Sequence, residues 1–293
     1  MRPPDHRPRP PVRAGARRGG VRALLAGTAA VALAGLTAAA APADRLLPLA
    51  RSIAREHPAM WTGASVARGE HAVVVGRPAA LVAGLAVLAD RGSRAVARVW
   101  GRPVDAVVLV PATDAEAAAL AAPARVEGLA ALAGADRVIV EPSGFARLSR
   151  AGRQIVLTHE LTHVATGAAV HAGVPAWLVE GFADYVGYKD SGLPVAAVAA
   201  ELAAAVRASG RAPAALPGPD DFAVRPPEAY EGAWLACRYV AERFGEPALV
   251  ALYRAALREG LDPALRDTLG LTVPELTLRW RAYVRAELAP GPP

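Results

Sequence analysis

Apolar and polar positions divide the chain into a front part, where short apolar runs alternate with helical stretches, and a back part that is almost entirely helical. Residues 46–55 have helical spacing. His71-Ala72-Val73-Val74-Val75, Asp105-Ala106-Val107-Val108-Leu109-Val110 and Arg137-Val138-Ile139-Val140 are β-branched runs of strand length. Pro111 closes the second, and Glu141-Pro142-Ser143-Gly144 closes the third. Between the first two, residues 79–99 predict a long helix that stops before Gly101-Arg102-Pro103, and Asp114 can cap a helix through Leu120. Further on, the spacing predicts helices over 195–208, 229–244, 247–258 and 273–288, with Gly245, Gly260 and Gly270 between them. Residues 210–227 read as a Pro/Gly-rich loop. Leu276, Trp280, Tyr283 and Val284 form a core stripe; Tyr230, Trp234, Cys237 and Ala241 form another. The expected class is α+β.

One predicted helix carries chemistry. Ser149 is a natural N-cap and Gly167 a natural residue just past the end, and between them stands His159-Glu160-Leu161-Thr162-His163. On a helix, residues four apart leave the same face, so both imidazoles can share one zinc ion. Glu160 sits beside that ion and can act as base toward water. With six His and 15 Glu in 293 residues, random placement gives about 0.006 such matches.

A second helix follows. Pro175 suits its first position, and residues 176–186 run on to Gly187. Glu180 and Asp184 share one face of it. Glu180 is the candidate third ligand, a carboxylate that leaves the fourth position to water. Asp184 can accept the other ring N–H of a zinc histidine; the plain alternative for both is a solvated carboxylate.

H-E-x-x-H followed by a helix bearing E-x-x-x-D resembles the gluzincin branch of zinc metallopeptidases. The resemblance implies His159, His163 and Glu180 as zinc ligands, Glu160 as general base and Asp184 as the partner of His159. It implies a zincin-like fold, with a mixed sheet subdomain over residues 44–150 packed on the zinc-site helix, and a helical region over 151–293. It makes Arg137 to Val140 an edge strand able to pair with substrate backbone, and peptide or protein the substrate. Sixteen residues separate His163 from Glu180, fewer than in thermolysin-like and aminopeptidase members. The metzincin pattern fails, because Thr166 and Ala169 occupy the positions where it needs Gly and His. His171 is out of register and reads as a loop histidine. Tyr230-Glu231-Gly232-Ala233 resembles the tyrosine segment of aminopeptidase-like members, which implies that Tyr230 donates to the oxyanion. Glu141 is a weak candidate to hold a substrate amine, since the G-x-M-E-N segment is missing.

Residues 1–22 hold seven arginines and one acid, and residues 23–43 hold no charge, the layout of an export signal. Ala38-Ala39-Ala40 and Ala41-Pro42-Ala43 both suit cleavage. Uncleaved, the 21-residue run is long enough to anchor the chain in a membrane about 30 Å thick. Either way the remainder is expected outside the cytoplasm. The opening 43 residues carry the whole net charge of +6, so the remainder balances 26 basic against 26 acidic groups. This gives no basis for a nucleic-acid partner. Cys237 is the only cysteine, which rules out an internal disulfide and leaves stability to the core. Two other classes compete: a zinc-stabilised envelope scaffold without turnover, and a helical binding protein with an accidental motif. An intact Glu160 argues against the first, because a structural zinc site has no use for a base.

Overall fold

The computed structural model describes residues 42–288 except 127 and 172. The arginine-rich and uncharged opening segments lie outside the described residues, apart from Pro42 and Ala43, which begin a 3-10 turn over Pro42–Leu46. Five strands, β1 (Ser65–Arg68), β2 (Ala72–Gly76), β3 (Ala106–Val110), β4 (Ala131–Ala133) and β5 (Arg137–Val140), form one sheet. The helices of the front part are α1 (Leu47–Glu56), α2 (Ala79–Trp100), α3 (Asp114–Ala121) and α4 (Pro142–Ala146). Next come α5 (Arg150–Thr166), α6 (Ala176–Tyr188), α7 (Val195–Val198), α8 (Ala200–Ser209) and α9 (Pro219–Val224). The chain continues through α10 (Pro226–Phe244), α11 (Glu246–Glu259), α12 (Leu261–Leu269) and α13 (Val273–Leu288). Among the described residues no helix is long and apolar enough to cross a membrane.

The sheet is mixed, in the order β1-β2-β3-β5-β4. β2, β3 and β5 are parallel, and β1 and β4 flank them antiparallel. The central valine runs are buried at every position because both faces are covered. Val73, Val75, Val107, Leu109 and Ile139 pack with Ile53 of α1 and Ala117 of α3. Val74, Val108, Val138 and Val140 join the larger core with α2, α5, α6 and the C-terminal helices. The sequence makes Arg137 to Val140 an edge, and the structure corrects this. β5 pairs with β3 on one side and β4 on the other, so the edge strand is β4.

Close helix crossings place the helices that matter. A Cβ at Gly92 of α2 would lie 2.9 Å from Leu161 Cδ1 and 3.2 Å from Thr158 Oγ1 of α5. On α5 that face also carries Thr162 and Thr166; all three threonines are buried and each donates to the carbonyl four residues back. α6 is held on two sides. A Cβ at Gly181 would fall 2.2 Å from Ala233 O of α10, and one at Gly187 3.1 Å from Ile155 O of α5. Gly187 therefore lies inside α6, which runs on to Tyr188.

Local chemistry explains other departures from the expected elements. The predicted helix over 195–208 breaks at Ala199, where φ is −108° and ψ 45°. Glu231 of α10 accepts from the Glu201 and Leu202 amides at 3.3 and 2.6 Å, so α8 starts afresh there. The expected loop over 210–227 contains α9 and the start of α10, each opened by proline at its first position. Thr113, not Asp114, caps α3, through Oγ1 at 3.2 Å from Glu116 N. Trp280 and Cys237 are fully buried, as their stripes predict.

Candidate metal centre

α5 forms where the caps predict. Ser149 Oγ accepts from Gly152 N at 3.1 Å, and Gly167 ends the helix at φ 72°, a conformation glycine adopts freely. His159 and His163 stand side by side on one face, ring centres 4.6 Å apart and planes at 85°. Their Nε2 atoms are 2.9 Å apart. Glu180 of α6 brings Oε2 to 3.4 Å from His159 Nε2 and 3.3 Å from His163 Nε2.

These three donors form a group that could hold a metal ion. Zinc, the ion the sequence resemblance implies, can be tested against them. Donors on a tetrahedral ion with bonds of about 2.0–2.1 Å stand about 3.3 Å apart, close to the observed separations. A triangle with these sides has a circumscribed radius of about 1.9 Å, shorter than a Zn–N bond, so one point reaches all three donors. Two imidazole nitrogens and one carboxylate oxygen also match zinc in chemistry. The donor set fits. Among the described residues no fourth His, Cys, Asp or Glu joins the group.

Asp184, one turn beyond Glu180, places Oδ1 2.8 Å from His159 Nδ1. Asp184 accepts here, so Nδ1 carries a hydrogen, and Nε2 is the ring nitrogen left facing Glu180 and His163. His163 Nδ1 is buried and has no partner among the described residues.

The centre's charges are strongly coupled. Burial opposes a charged His159, yet Asp184, Glu180 and Glu160 together hold its pKa well above the usual histidine range. Burial likewise opposes ionisation of Glu180, but both histidines outweigh it and hold the carboxyl far below the usual range. Glu160, buried beside them, is pushed upward by burial, with Glu180 adding to the rise. His159, His163 and the Ala133 backbone amide on β4 pull it back. A carboxylate raised in this way is better matched to proton transfer near neutral pH.

Tyr230 on α10 places its ring 6.4 Å from that of His159. Burial raises its pKa, and Glu180, Asp184 and Glu160 raise it further, so the phenol shares the field of all three carboxylates. The structure thus places Glu160, Asp184 and Tyr230 around the His159, His163 and Glu180 donors. It leaves His171 apart: its ring lies over Gly167 at the end of α5, outside the donor group. Glu141 caps α4 by accepting from Gly144 N, so its carboxylate already has a structural task. His71 pairs with Asp105, Nδ1 to Oδ1 at 3.0 Å. Two neighbours were not legible from sequence: Ala133 beside Glu160, and Phe222, whose ring meets that of Tyr230 edge-on at 5.0 Å. No family model matches the chain, and no curated protein matches it.

Proposed function

We propose that this protein is an exported zinc metallopeptidase of gluzincin type. The observation that carries the reading is the triangle of His159, His163 and Glu180 donors with Glu160 buried beside it. Zinc held there supplies Lewis acidity to a substrate carbonyl and to water. Glu160 takes a proton from the attacking water and passes it to the amine nitrogen as the C–N bond breaks. Asp184 keeps His159 in the tautomer that ligates, through the 2.8 Å contact at Nδ1. The Tyr230 hydroxyl donates to the carbonyl oxygen as negative charge builds on it. β4, the sheet edge nearest Glu160, offers backbone groups with which an extended peptide can pair. The zincin-like fold and the location outside the cytoplasm belong to the same proposal, the latter resting on the basic and uncharged opening segments.

A structural zinc site has no use for a base, and Glu160 buried beside the donors favours catalysis over a scaffold role. The test is zinc content and cleavage of a denatured-protein mixture by wild type and Glu160→Gln. One zinc per chain in both, with cleavage lost only in the variant, is expected. One zinc without wild-type cleavage would favour the scaffold; no zinc after reconstitution would sink the reading.

A further inference from the structure

Tyr230 lies in the opening turns of α10, which begins on Pro226 and Pro227 without a side-chain cap. A tyrosine ring turns about χ1 and χ2, so the direction of its hydroxyl depends on what pins the ring. Two aromatic rings do so. His159 lies on the side of the metal centre, and Phe222 meets the ring at 5.0 Å and 82°, an edge-to-face contact.

Phe222 belongs to α9, a helix of six residues. The Asp221 carboxylate clasps both ends of this helix, accepting from Gly218 N at 2.9 Å and from the Arg225 guanidinium at 2.9 Å. A cavity of about 530 Å³ borders it, lined by Leu202, Val206, Pro217, Asp221, Ala229 and Gly232. On that side Asp221 borders open space rather than close-packed side chains. Asp221 lines this cavity, and the adjacent Phe222 meets the Tyr230 ring.

We propose that Phe222 is a positioning residue for Tyr230, and that α9 sets whether the Tyr230 hydroxyl faces the metal centre. Its catalytic consequence rests on the peptidase reading; the positioning itself does not. Full-length protein labelled with 3-fluorotyrosine separates the two. Six tyrosines give the ¹⁹F signals, and Tyr230→Phe identifies the one belonging to Tyr230. Phe222→Ala is expected to shift that signal by more than its linewidth and leave the other tyrosines in place. Asp221→Asn gives a smaller shift. Phe222→Leu carries the test if the alanine variant is unfolded by circular dichroism. In cleavage assays Phe222→Ala lowers kcat about ten- to a hundredfold with KM unchanged, and adds nothing in a Tyr230→Phe background. An unmoved Tyr230 signal in both the alanine and leucine variants overturns the proposal, as do additive losses of kcat. A wild-type protein that cleaves nothing counts against the peptidase reading alone, and the ¹⁹F shifts then decide the positioning.

Discussion

Replacing Asp184 with Asn keeps the side chain's size and removes its charge from the pair that orients His159. The bond is 2.8 Å long and both side chains are 13% exposed, so it is charge-assisted and weakly screened by water. Hydrogen bonds to charged groups contribute about 1.5–3 kcal/mol. At about 1.4 kcal/mol per decade, that corresponds to a loss of about 10- to 150-fold in affinity for an ion that needs His159 held in place. The range overlaps the loss of about 10- to 100-fold found when hydrogen-bond partners of metal ligands are removed. Asn adds a second effect, because its amide can donate to Nδ1 and drive the ring proton onto Nε2, the atom that must present a lone pair. Zinc affinity is read by competition with a chromophoric chelator at fixed pH, with circular dichroism as a check on folding. A change under about threefold in folded Asp184→Asn would refute the reasoning, since His159 would then hold its orientation without Asp184.

Gly181→Ala drives a methyl group into Ala233 O, 2.2 Å from the position its Cβ would take. Overpacking of this kind costs about 1–3 kcal/mol, so Tm is expected to fall by several degrees and zinc affinity with it, because Glu180 is the adjacent residue. An unchanged Tm would show that α6 and α10 do not cross so closely. Saturating zinc, at about a thousandfold over Kd, should raise the unfolding free energy by about 4 kcal/mol, an effect a chelator reverses and Glu180→Gln largely abolishes. A thermal shift that survives Glu180→Gln would place the ion elsewhere. Burial, aided by Glu201, pushes the Glu231 carboxyl up to about 8, although the Leu202 and Glu201 amides oppose the rise. The folded value exceeds the unfolded one of about 4.3, so the folded state keeps a proton that the unfolded state has released. That contribution to stability is complete below about pH 4.3 and lost as pH rises through about 8. Glu201, lowered by the same contact, offsets part of it. Melting from pH 5 to 9 should therefore move against wild type relative to Glu231→Gln; parallel curves would show that Glu231 does not titrate in this window.

What was legible in the sequence was what a local pattern can encode. Val73 to Val75 and Val107 to Val110 read as strands, and the structure places alternate residues in two cores, one on each face of the sheet. The donor group was legible because helical geometry ties His159 to His163, and Glu180 to Asp184, at fixed intervals. Tertiary partners were not. β4 is Ala-Leu-Ala, too short and too uniform to alternate, so it was missing from the expected elements, and the edge that the resemblance implied for Arg137 to Val140 is formed by β4 instead. The break at Ala199 depends on Glu231, some thirty residues away, presenting its carboxyl oxygens to two amides. Phe222 lay in a stretch whose prolines read as loop, although proline there starts helices.

The two glycines of α6 have a consequence for how such centres vary. Gly187 seats α6 against Ile155 of α5, and Gly181 seats it against Ala233 of α10, backbone to backbone. The register of Glu180 against the two histidines is thereby set by contact between helix bodies rather than by the connecting residues 167–175. Insertions or deletions in that connection can slacken or tighten it while the donor triangle keeps its shape. The interval between His163 and Glu180 is then a loosely constrained number. Relatives of this chain are better sought by a small residue placed next to Glu180, and another seven positions after it, than by any fixed count of residues between His163 and Glu180.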